Sequence, residues 1–234
     1  DVIPLSLGIE TMGGVVGKII HRNSTIPISA SETFTTYVDG QTSVDIHILQ
    51  GERELVKDNR SLSRFQLKGL PPLPAGIPKI EVEFIIDANG ILTVKAKDKT
   101  SGKEQSIRIE GSSGLSEADI EKMRQDADKN AESDKQKKEL IEAQNTAEQM
   151  VYQAEKSLKE YGDKAGEEVK KNVQEKIDAL KTAKGGTDAT AIKSASEALS
   201  SALSAIGEAM QKAQQSEQKP PEGSGQTPPE GTQA

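Results

Sequence analysis

The chain has 234 residues, no cysteine and a formal net charge of −7, from 30 Lys and Arg against 37 Asp and Glu. This length is enough for one large or two modest domains, and the lack of cysteine excludes disulfides, thiolate nucleophiles and cysteine-held metal centres. The negative charge opposes binding to nucleic acid. No apolar run is long enough to cross a membrane and no segment resembles a signal peptide, so we expect a cytoplasmic chain with no membrane partner. Because it begins with Asp rather than Met, we expect it to be a piece of a longer protein.

Apolar residues recur at every second position between residues 33 and 109. This period is typical of strands with one buried face, and it is clearest at 44–48, 80–86 and 92–96. Asn89-Gly90 supplies the positive φ angles of a tight hairpin, and Asp39-Gly40 predicts a second hairpin leading into the strand at 44. Several short strands separated by turns favour an antiparallel β-sandwich.

The period changes after Gly114, where Ser116 and Asp119 form the pattern of a capping box and predict the start of a helix. Apolar residues then follow at spacings of three and four as far as Gly162. A continuous helix of this length would extend about 70 Å, so we expect a break near residues 129–134. A third helix ends at Gly185-Gly186, and a fourth follows it. Its apolar positions are Ile192, Ala195, Leu199, Leu203, Ile206 and Met210.

The predicted fold class is therefore α+β, with a two-layer antiparallel β-sandwich followed by an α-helical bundle. We expect the sandwich over residues 1–113 and the helices over 114–216. Residues 217–234 repeat PPEG among Gln, Ser, Thr and Gly. Such a composition cannot bury enough apolar surface to fold, so this tail is predicted to be disordered.

Few residues suit catalysis. His21 and His47 are the only histidines, and the phase of the strand predicts that His47 lies on its outer face. The run MGGVVGKI at 12–19 resembles a phosphate-binding loop, but it has Met12 in place of the first glycine and Ile19 in place of the hydroxyl residue. Gly13-Gly14 instead predicts a sharp bend. We expect no catalytic residue and no metal site.

A group of apolar residues lies beside predicted bends. Two interpretations remain open. These side chains are either part of the core, or they line an apolar channel in which free backbone groups bind an extended peptide. The residues concerned are Ile9, Met12, Phe34, Tyr37, Val44 and Ile46.

Four long segments resemble the substrate-binding half of the bacterial seventy-kilodalton heat-shock chaperone family, the DnaK family. They are DVIPLSLGIETMGG at 1–14, TIPISASETF at 25–34, DGQTSVDIHILQGER at 39–53 and IEVEFIIDANGIL at 80–92. SGKEQSIRI at 101–109 and SSGLSEADIEKM at 112–123 extend the similarity into the first helix. The resemblance covers nearly all of residues 1–160.

The resemblance implies a β-sandwich that holds a short extended peptide beneath a helical lid. Thr11 and Thr35 match positions that contact the peptide backbone, while Met12 and Tyr37 match the pair that arches over it. The central pocket, which accepts a leucine-like side chain, maps onto Ile9, Phe34, Val44, Ile46 and Ile80.

The resemblance also implies contacts that close the lid. Glu148 matches an acid whose usual arginine partner is replaced here by Ala75, so Glu148 is expected to have lost its partner. Asp39 is retained and could meet Tyr152 or Lys156. The expected result is a weaker closure and faster release of peptide than in a relative that has the arginine.

We therefore expect a chaperone module that binds hydrophobic segments of unfolded proteins. By the resemblance, the module is not itself an enzyme; ATP and ADP act in an absent ATPase domain, and a J-domain co-chaperone and a nucleotide-exchange factor are partners. The opening DVIPLSLG and Pro74-Ala75-Gly76 also resemble a paralogue that serves iron–sulfur cluster assembly, which is the alternative within the family. A structural protein and a hydrolase with a dispersed site are the alternatives outside it.

Overall fold

The fold is taken from a computed structural model, which describes residues 1–110 and 114–217. Within these residues there are eight β-strands, a short 3₁₀ helix at Val56–Asp58 and three α-helices. The strands are β1 (Leu7–Thr11), β2 (Val15–Ile20), β3 (Ile28–Phe34), β4 (Ser43–Gln50), β5 (Arg60–Lys68), β6 (Ile80–Ile86), β7 (Leu92–Asp98) and β8 (Glu104–Ile109). The helices are α1 (Glu117–Ala165), α2 (Glu167–Lys184) and α3 (Ala189–Glu217).

The strands form two antiparallel four-stranded sheets, so the predicted α+β class with a β-sandwich is confirmed. One sheet has the order β2-β1-β4-β5 and the other the order β3-β6-β7-β8. The core consists of apolar side chains from both sheets, with Phe84, Val82 and Ile48 fully buried. Strands β6 and β7 alternate buried and more accessible residues along their whole length, as the period of two predicts.

Of the two predicted hairpins, one is confirmed and one is wrong. The turn at Asn89-Gly90 joins β6 to β7, and the Asp87 carboxylate accepts hydrogen bonds from the backbone N–H groups of Asn89 and Ile91. Asp39-Gly40 does not close a hairpin, because β3 pairs with β6 while β4 pairs with β1 and β5. The chain therefore crosses from one sheet to the other between β3 and β4.

Strands β1 and β2 precede the region in which the alternating pattern was found. Their buried residues run consecutively, as in Leu7–Ile9 and Val15-Val16, so they lack the period of two. The predicted bend at Gly13-Gly14 is confirmed as the turn between them. Both glycines have positive φ, 82° and 76°, a conformation that disfavours other residues.

The capping box at the start of α1 is confirmed. Asp119 Oδ2 accepts a hydrogen bond of 3.0 Å from the Ser116 N–H, and Ser116 Oγ accepts one of 3.2 Å from the Asp119 N–H. The predicted break near 129–134 is wrong, since α1 is continuous over 49 residues. No proline or glycine lies between residues 115 and 161 to interrupt it.

The chain divides into two compact units, Asp1–Gln149 and Met150–Ala234. The first contains the sandwich and most of α1. In the second, α2 and α3 pack around buried side chains such as Val173, Ile177 and Leu199, as the helical periodicity predicted. The division at 113/114 stays a prediction, and residues 218–234 of the predicted tail lie outside the described residues. Among the described helices, none is long and apolar enough to span a bilayer.

We expect Gly8→Ala to destabilise the first unit by about 1–3 kcal/mol. A Cβ at Gly8 would lie 2.2 Å from the backbone oxygen of Gly17 on the paired strand, so the strands would have to separate. Gly17→Ala is the matched control, because its Cβ would meet side-chain atoms alone, the Thr11 methyl group at 3.2 Å and the Phe34 ring at 3.7 Å, and no backbone atom. Urea unfolding measures the free energy of unfolding of both variants, and an equal decrease in the two would contradict the prediction.

Candidate functional site

Five predicted pocket residues belong to one apolar cluster between the sheets. Ile9, Ile46 and Ile80 are buried there, with Ile9 only 3% and Ile80 only 1% exposed. Phe34 and Val44 pack against the same cluster but are only partly buried. Ile9, Ile46 and Ile80 are therefore core residues, and the interpretation of this group as the lining of a peptide channel stays a prediction.

The partly accessible edge of the cluster is shaped by strand pairing. Phe34 lies opposite Ile80 in the β3–β6 register, and Ile9 lies opposite Gly17 in the β1–β2 register. A Cβ at Gly17 would be 3.2 Å from Thr11 Cγ2 and 3.7 Å from Phe34 Cε1. Thr11, Gly17 and Phe34 therefore meet at this edge, and the missing side chain of Gly17 leaves room between the two others.

The two residues assigned to an arch contact each other. The backbone N–H of Met12 donates a hydrogen bond to Tyr37 Oη, with 3.4 Å between N and O. Met12 is partly buried, whereas Tyr37 is 40% exposed. This contact joins the β1–β2 turn to the segment that follows β3, on either side of the edge just described.

Helix α1 holds the same turn from the other side. Asn145 Nδ2 donates a hydrogen bond of 2.8 Å to the backbone oxygen of Met12. A Cβ at Gly13 would lie 2.4 Å from Ile141 Cγ2, so only glycine allows the helix to approach this closely. Both backbone polar groups of Met12 are therefore engaged, one with Tyr37 and one with α1.

The two threonines assigned to peptide contact differ in their partners. Thr11 Oγ1 donates a hydrogen bond of 3.0 Å to the backbone oxygen of Val15, across the turn. Thr35 Oγ1 is buried and has no hydrogen-bond partner among the described residues, and the same holds for Thr36 Oγ1. A buried hydroxyl without a partner is uncommon, because losing its contact with water is costly.

The residues assigned to lid closure are all engaged. Asp39 Oδ1 accepts a hydrogen bond of 2.8 Å from the backbone N–H of Ala75, and Asp39, Glu148, Tyr152 and Lys156 each have a polar or ring interaction. The expectation that Glu148 has lost its partner is therefore wrong. The role of these four residues in closing a lid stays a prediction.

An ion pair that the sequence analysis missed joins α1 to the loop after β4. Arg53 makes a two-pronged contact with Asp134, in which its Nε and Nη2 donate to Oδ2 and Oδ1, the latter at 3.0 Å. The Asp134 side chain is only 2% exposed. The hydrogen bonds and charge of Arg53 lower the pKa of Asp134 below its usual value, and the same contact raises the pKa of Arg53.

A second ionic contact lies next to the first. Glu54 accepts hydrogen bonds from Lys18 Nζ at 2.9 Å and from Lys138 Nζ at 2.8 Å. Burial alone would raise the pKa of Glu54, but the two lysines outweigh it and lower this pKa. The hydrogen bond to Glu54 raises the pKa of Lys138. Glu54 thus connects strand β2 to helix α1.

A helical spacing could have revealed this docking face. Asp134, Lys138, Ile141 and Asn145 follow one another at intervals of four, three and four residues, which places them on one side of a helix. This face contains a carboxylate, an ammonium and an amide, so a search for apolar periodicity passes over it. We call these four residues the docking face of α1.

His47 is hydrogen-bonded and lies on the opposite face of the strand from the core residues Ile46 and Ile48, as the phase predicted, but polar side chains cover it. Its side chain lies between Glu10 Oε2 at 2.7 Å and Ser61 Oγ at 2.8 Å, and the residue is only 7% exposed. Arg64, which contacts both His47 and Glu10, adds to this polar cluster. Within the described part of the chain, no group of three or more His, Asp or Glu side chains could hold a metal ion.

Comparison with known proteins assigns a family to this arrangement. The family model described as Hsp70 protein matches residues 1–212. The chain belongs to the Hsp70 family. It is 56% identical over 207 residues to the Chaperone protein DnaK of Prochlorococcus marinus (strain MIT 9515), a match that covers 88% of this chain and 33% of the relative. The chain thus spans about a third of the length of this Hsp70 relative, and the iron–sulfur paralogue is not favoured.

The Hsp70 match corrects two expectations. The sequence analysis described the chain as non-enzymatic and confined ATP and ADP to an absent domain. The family match runs over residues 1–212, so nearly the whole chain is classed with an ATP-hydrolysing family. Both expectations are therefore wrong: the chain is part of an ATPase family, and nucleotide cannot be assigned solely to a domain outside it.

The docking of α1 should weaken in acid. Because the pKa of Asp134 is lowered in the folded protein, the stability it contributes is present above its usual pKa of about 4 and is lost as pH falls through the lowered value. We expect Asp134→Asn to lower the free energy of unfolding by about 1.5–3 kcal/mol at pH 7 and to make this free energy less dependent on acid pH than it is in the wild type. Urea unfolding between pH 7 and pH 3 measures both quantities.

The matched control is Asp128→Asn, on an exposed position of the same helix. It should change stability by less than about 0.5 kcal/mol and keep the wild-type pH dependence. If Asp134→Asn and the wild type lost stability in parallel as pH fell, the ion pair would not be the source of the acid sensitivity.

Proposed function

We propose that the chain is the peptide-binding part of an Hsp70 chaperone, which reversibly holds short extended hydrophobic segments of unfolded proteins. In this proposal the sandwich of residues 1–113 carries the binding groove and the helices of residues 114–216 form a lid over it. The peptide side chain enters at Phe34 and Val44, above the buried Ile9, Ile46 and Ile80. Thr11 and Thr35 lie beside the peptide backbone.

Two observations carry the proposal together: the hydrogen bond between Met12 and Tyr37, which joins the β1–β2 turn to the segment after β3, and the partial burial of Phe34 and Val44 in the apolar cluster. In this proposal the two joined segments lie above Phe34 and Val44 and leave a passage that an extended chain can occupy. Burying one leucine-like side chain there is worth about 1.5–3 kcal/mol. This energy selects hydrophobic segments and still permits release.

The orphaned hydroxyl of Thr35 supports a backbone contact at this edge. It directly follows Phe34, at the end of β3, and has no partner among the described residues. An extended peptide offers an N–H or C=O group at each residue, either of which can pair with a hydroxyl. Binding would thus supply the hydrogen bond that the hydroxyl lacks.

The docking face of α1 supports the assignment of a gate. Asn145 contacts Met12 itself, while Asp134 and Lys138 pair with Arg53 and Glu54 on the neighbouring loop. Undocking this face would remove the support of Met12 and loosen the contact with Tyr37. Exchange of a bound peptide would then require α1 to move.

For the whole protein we propose a cytoplasmic chaperone that works with a J-domain co-chaperone and a nucleotide-exchange factor. The support is membership of the Hsp70 family and the similarity to a bacterial DnaK. Unfolded proteins in general, rather than iron–sulfur assembly clients, are the proposed substrates.

Val44→Phe should weaken binding of a fluorescein-labelled leucine-rich peptide at least tenfold, as measured by fluorescence anisotropy. The larger ring would occupy the space above Ile46 that a peptide side chain needs. The same substitution at Val169, a partly buried position on α2 in the second unit, is the control and should leave the affinity unchanged.

Circular dichroism and urea unfolding establish that each variant remains folded. Wild-type affinity in a folded Val44→Phe variant would contradict the assignment of the pocket. No binding of the peptide by the wild-type chain at all would contradict the proposed function.

A further inference from the structure

A second cavity, of about 180 Å³, lies at the other end of the sandwich. It is lined by residues near the end of β4 and β6, including Gln50 and Ile86, whereas the candidate peptide site lies at the start of these strands, near Val44 and Ile80. Six residues of strand separate Val44 from Gln50, which corresponds to about 20 Å. The cavity is therefore separate from the candidate peptide site.

The side chains that line this cavity are mostly aliphatic and none of them is charged. None of its lining residues is ionisable, and most are branched aliphatic side chains. The main contributors are Leu7, Ile26, Leu62, Ile86, Leu92 and Ile109. The outer rim includes Val2, which is 53% exposed. Apolar cavities of about 150 Å³ in other proteins remain dry and bind benzene-sized molecules.

Gln50 has the one polar side chain among the lining residues. Gln50 is 3% exposed, and its Oε1 has no hydrogen-bond partner among the described residues. Gln50 lies opposite Leu7 in the β1–β4 register, and opposite residues of an antiparallel pair share a face of the sheet. Since Leu7 belongs to the core cluster, the Gln50 side chain lies on the inner face, where the cavity is.

We propose that this cavity is a binding site for a small uncharged aromatic group that carries one hydrogen-bond donor, such as a phenol. The ring would fill the aliphatic space, and the donor would pair with Gln50 Oε1. Buried amide oxygens are rarely left without a donor, so a ligand that supplies one gains a contact that a hydrocarbon of the same size cannot make. This inference goes beyond the proposed function and does not rest on it.

The experiment compares phenol with toluene, which has the same shape but no donor. Both are titrated into the whole chain, and binding is followed by the methyl NMR signals of Leu7, Ile86 and Leu92. We expect the wild type to bind phenol at least threefold more tightly than toluene. Gln50→Met, which keeps the length of the side chain but removes the acceptor, should reverse this preference.

Two further variants locate the binding. Leu62→Phe, which places a ring in the cavity, should abolish the shifts caused by phenol. Val44→Phe, at the peptide end of β4, should leave phenol binding unchanged, so failure of the proposed function would not affect this result. If Gln50→Met does not fold, the comparison of phenol with toluene in the wild type alone tests whether a hydrogen-bond donor strengthens binding.

The proposal is overturned if neither probe shifts these signals, which would mean that water alone occupies the cavity. It is equally overturned if toluene binds the wild type as tightly as phenol, or if Val44→Phe rather than Leu62→Phe abolishes phenol binding.

Discussion

The candidate peptide site depends on how helix α1 is held against the turns of the sandwich. The apolar residues of the two sheets form a core without the helix, but in the proposed site Met12 covers the partly accessible edge at Phe34 and Val44. Met12 in turn is supported by Asn145 of α1. The buried contact of Arg53 with Asp134 and the bridging of Lys18 and Lys138 by Glu54 fix the helix at two further points. These contacts are polar, so hydrogen bonds and ion pairs dock the helix at these points, in place of a continuous apolar interface.

Polar docking is compatible with the movement of α1 that the proposed function requires. An apolar interface stays closed because parting it exposes hydrocarbon to water, whereas separated ionic and amide groups recover hydrogen bonds from the solvent. The net free energy that holds the helix in place is therefore smaller than the number of contacts suggests. The aliphatic core side chains cannot form hydrogen bonds with water in this way, so exposing them remains costly. In the proposed function, the rigid support and the movable cover are thus built from different kinds of side chain.

Much of the fold could be predicted from local patterns. Alternation identified β6 and β7, and the capping box located the start of α1, because each of these signals arises from a few neighbouring residues. The failures involve information that local patterns do not hold. The partner of β3 is decided by the pairing of Phe34 with Ile80, far away in the chain, so the turn at Gly40 was wrongly assigned to a hairpin. The search for apolar periodicity did not find the docking face of α1, because three of its four residues are polar.

The family resemblance identified the candidate pocket residues, and the structure brings them into one cluster. The resemblance could not identify contacts that are particular to this chain. The expected loss of a partner by Glu148 was an inference from one absent arginine, and Glu148 is engaged all the same. Likewise, the alternation through Val44, Ile46 and Ile48 puts Gln50 in the inner phase of β4, but at the end of a strand this phase does not decide whether the side chain is buried. Its burial becomes evident only when the facing sheet is in place.

The way in which the β1–β2 turn is fastened has a consequence for how such sites diverge. Tyr37 and Asn145 both hydrogen-bond to backbone groups of residue 12, its N–H and its C=O. Every amino acid except proline has both groups. The side chain of residue 12 is therefore not needed to hold the β1–β2 turn in place. If the proposed function holds, exchange of this side chain alters the bulk above a bound peptide and leaves the attachment of the turn unchanged.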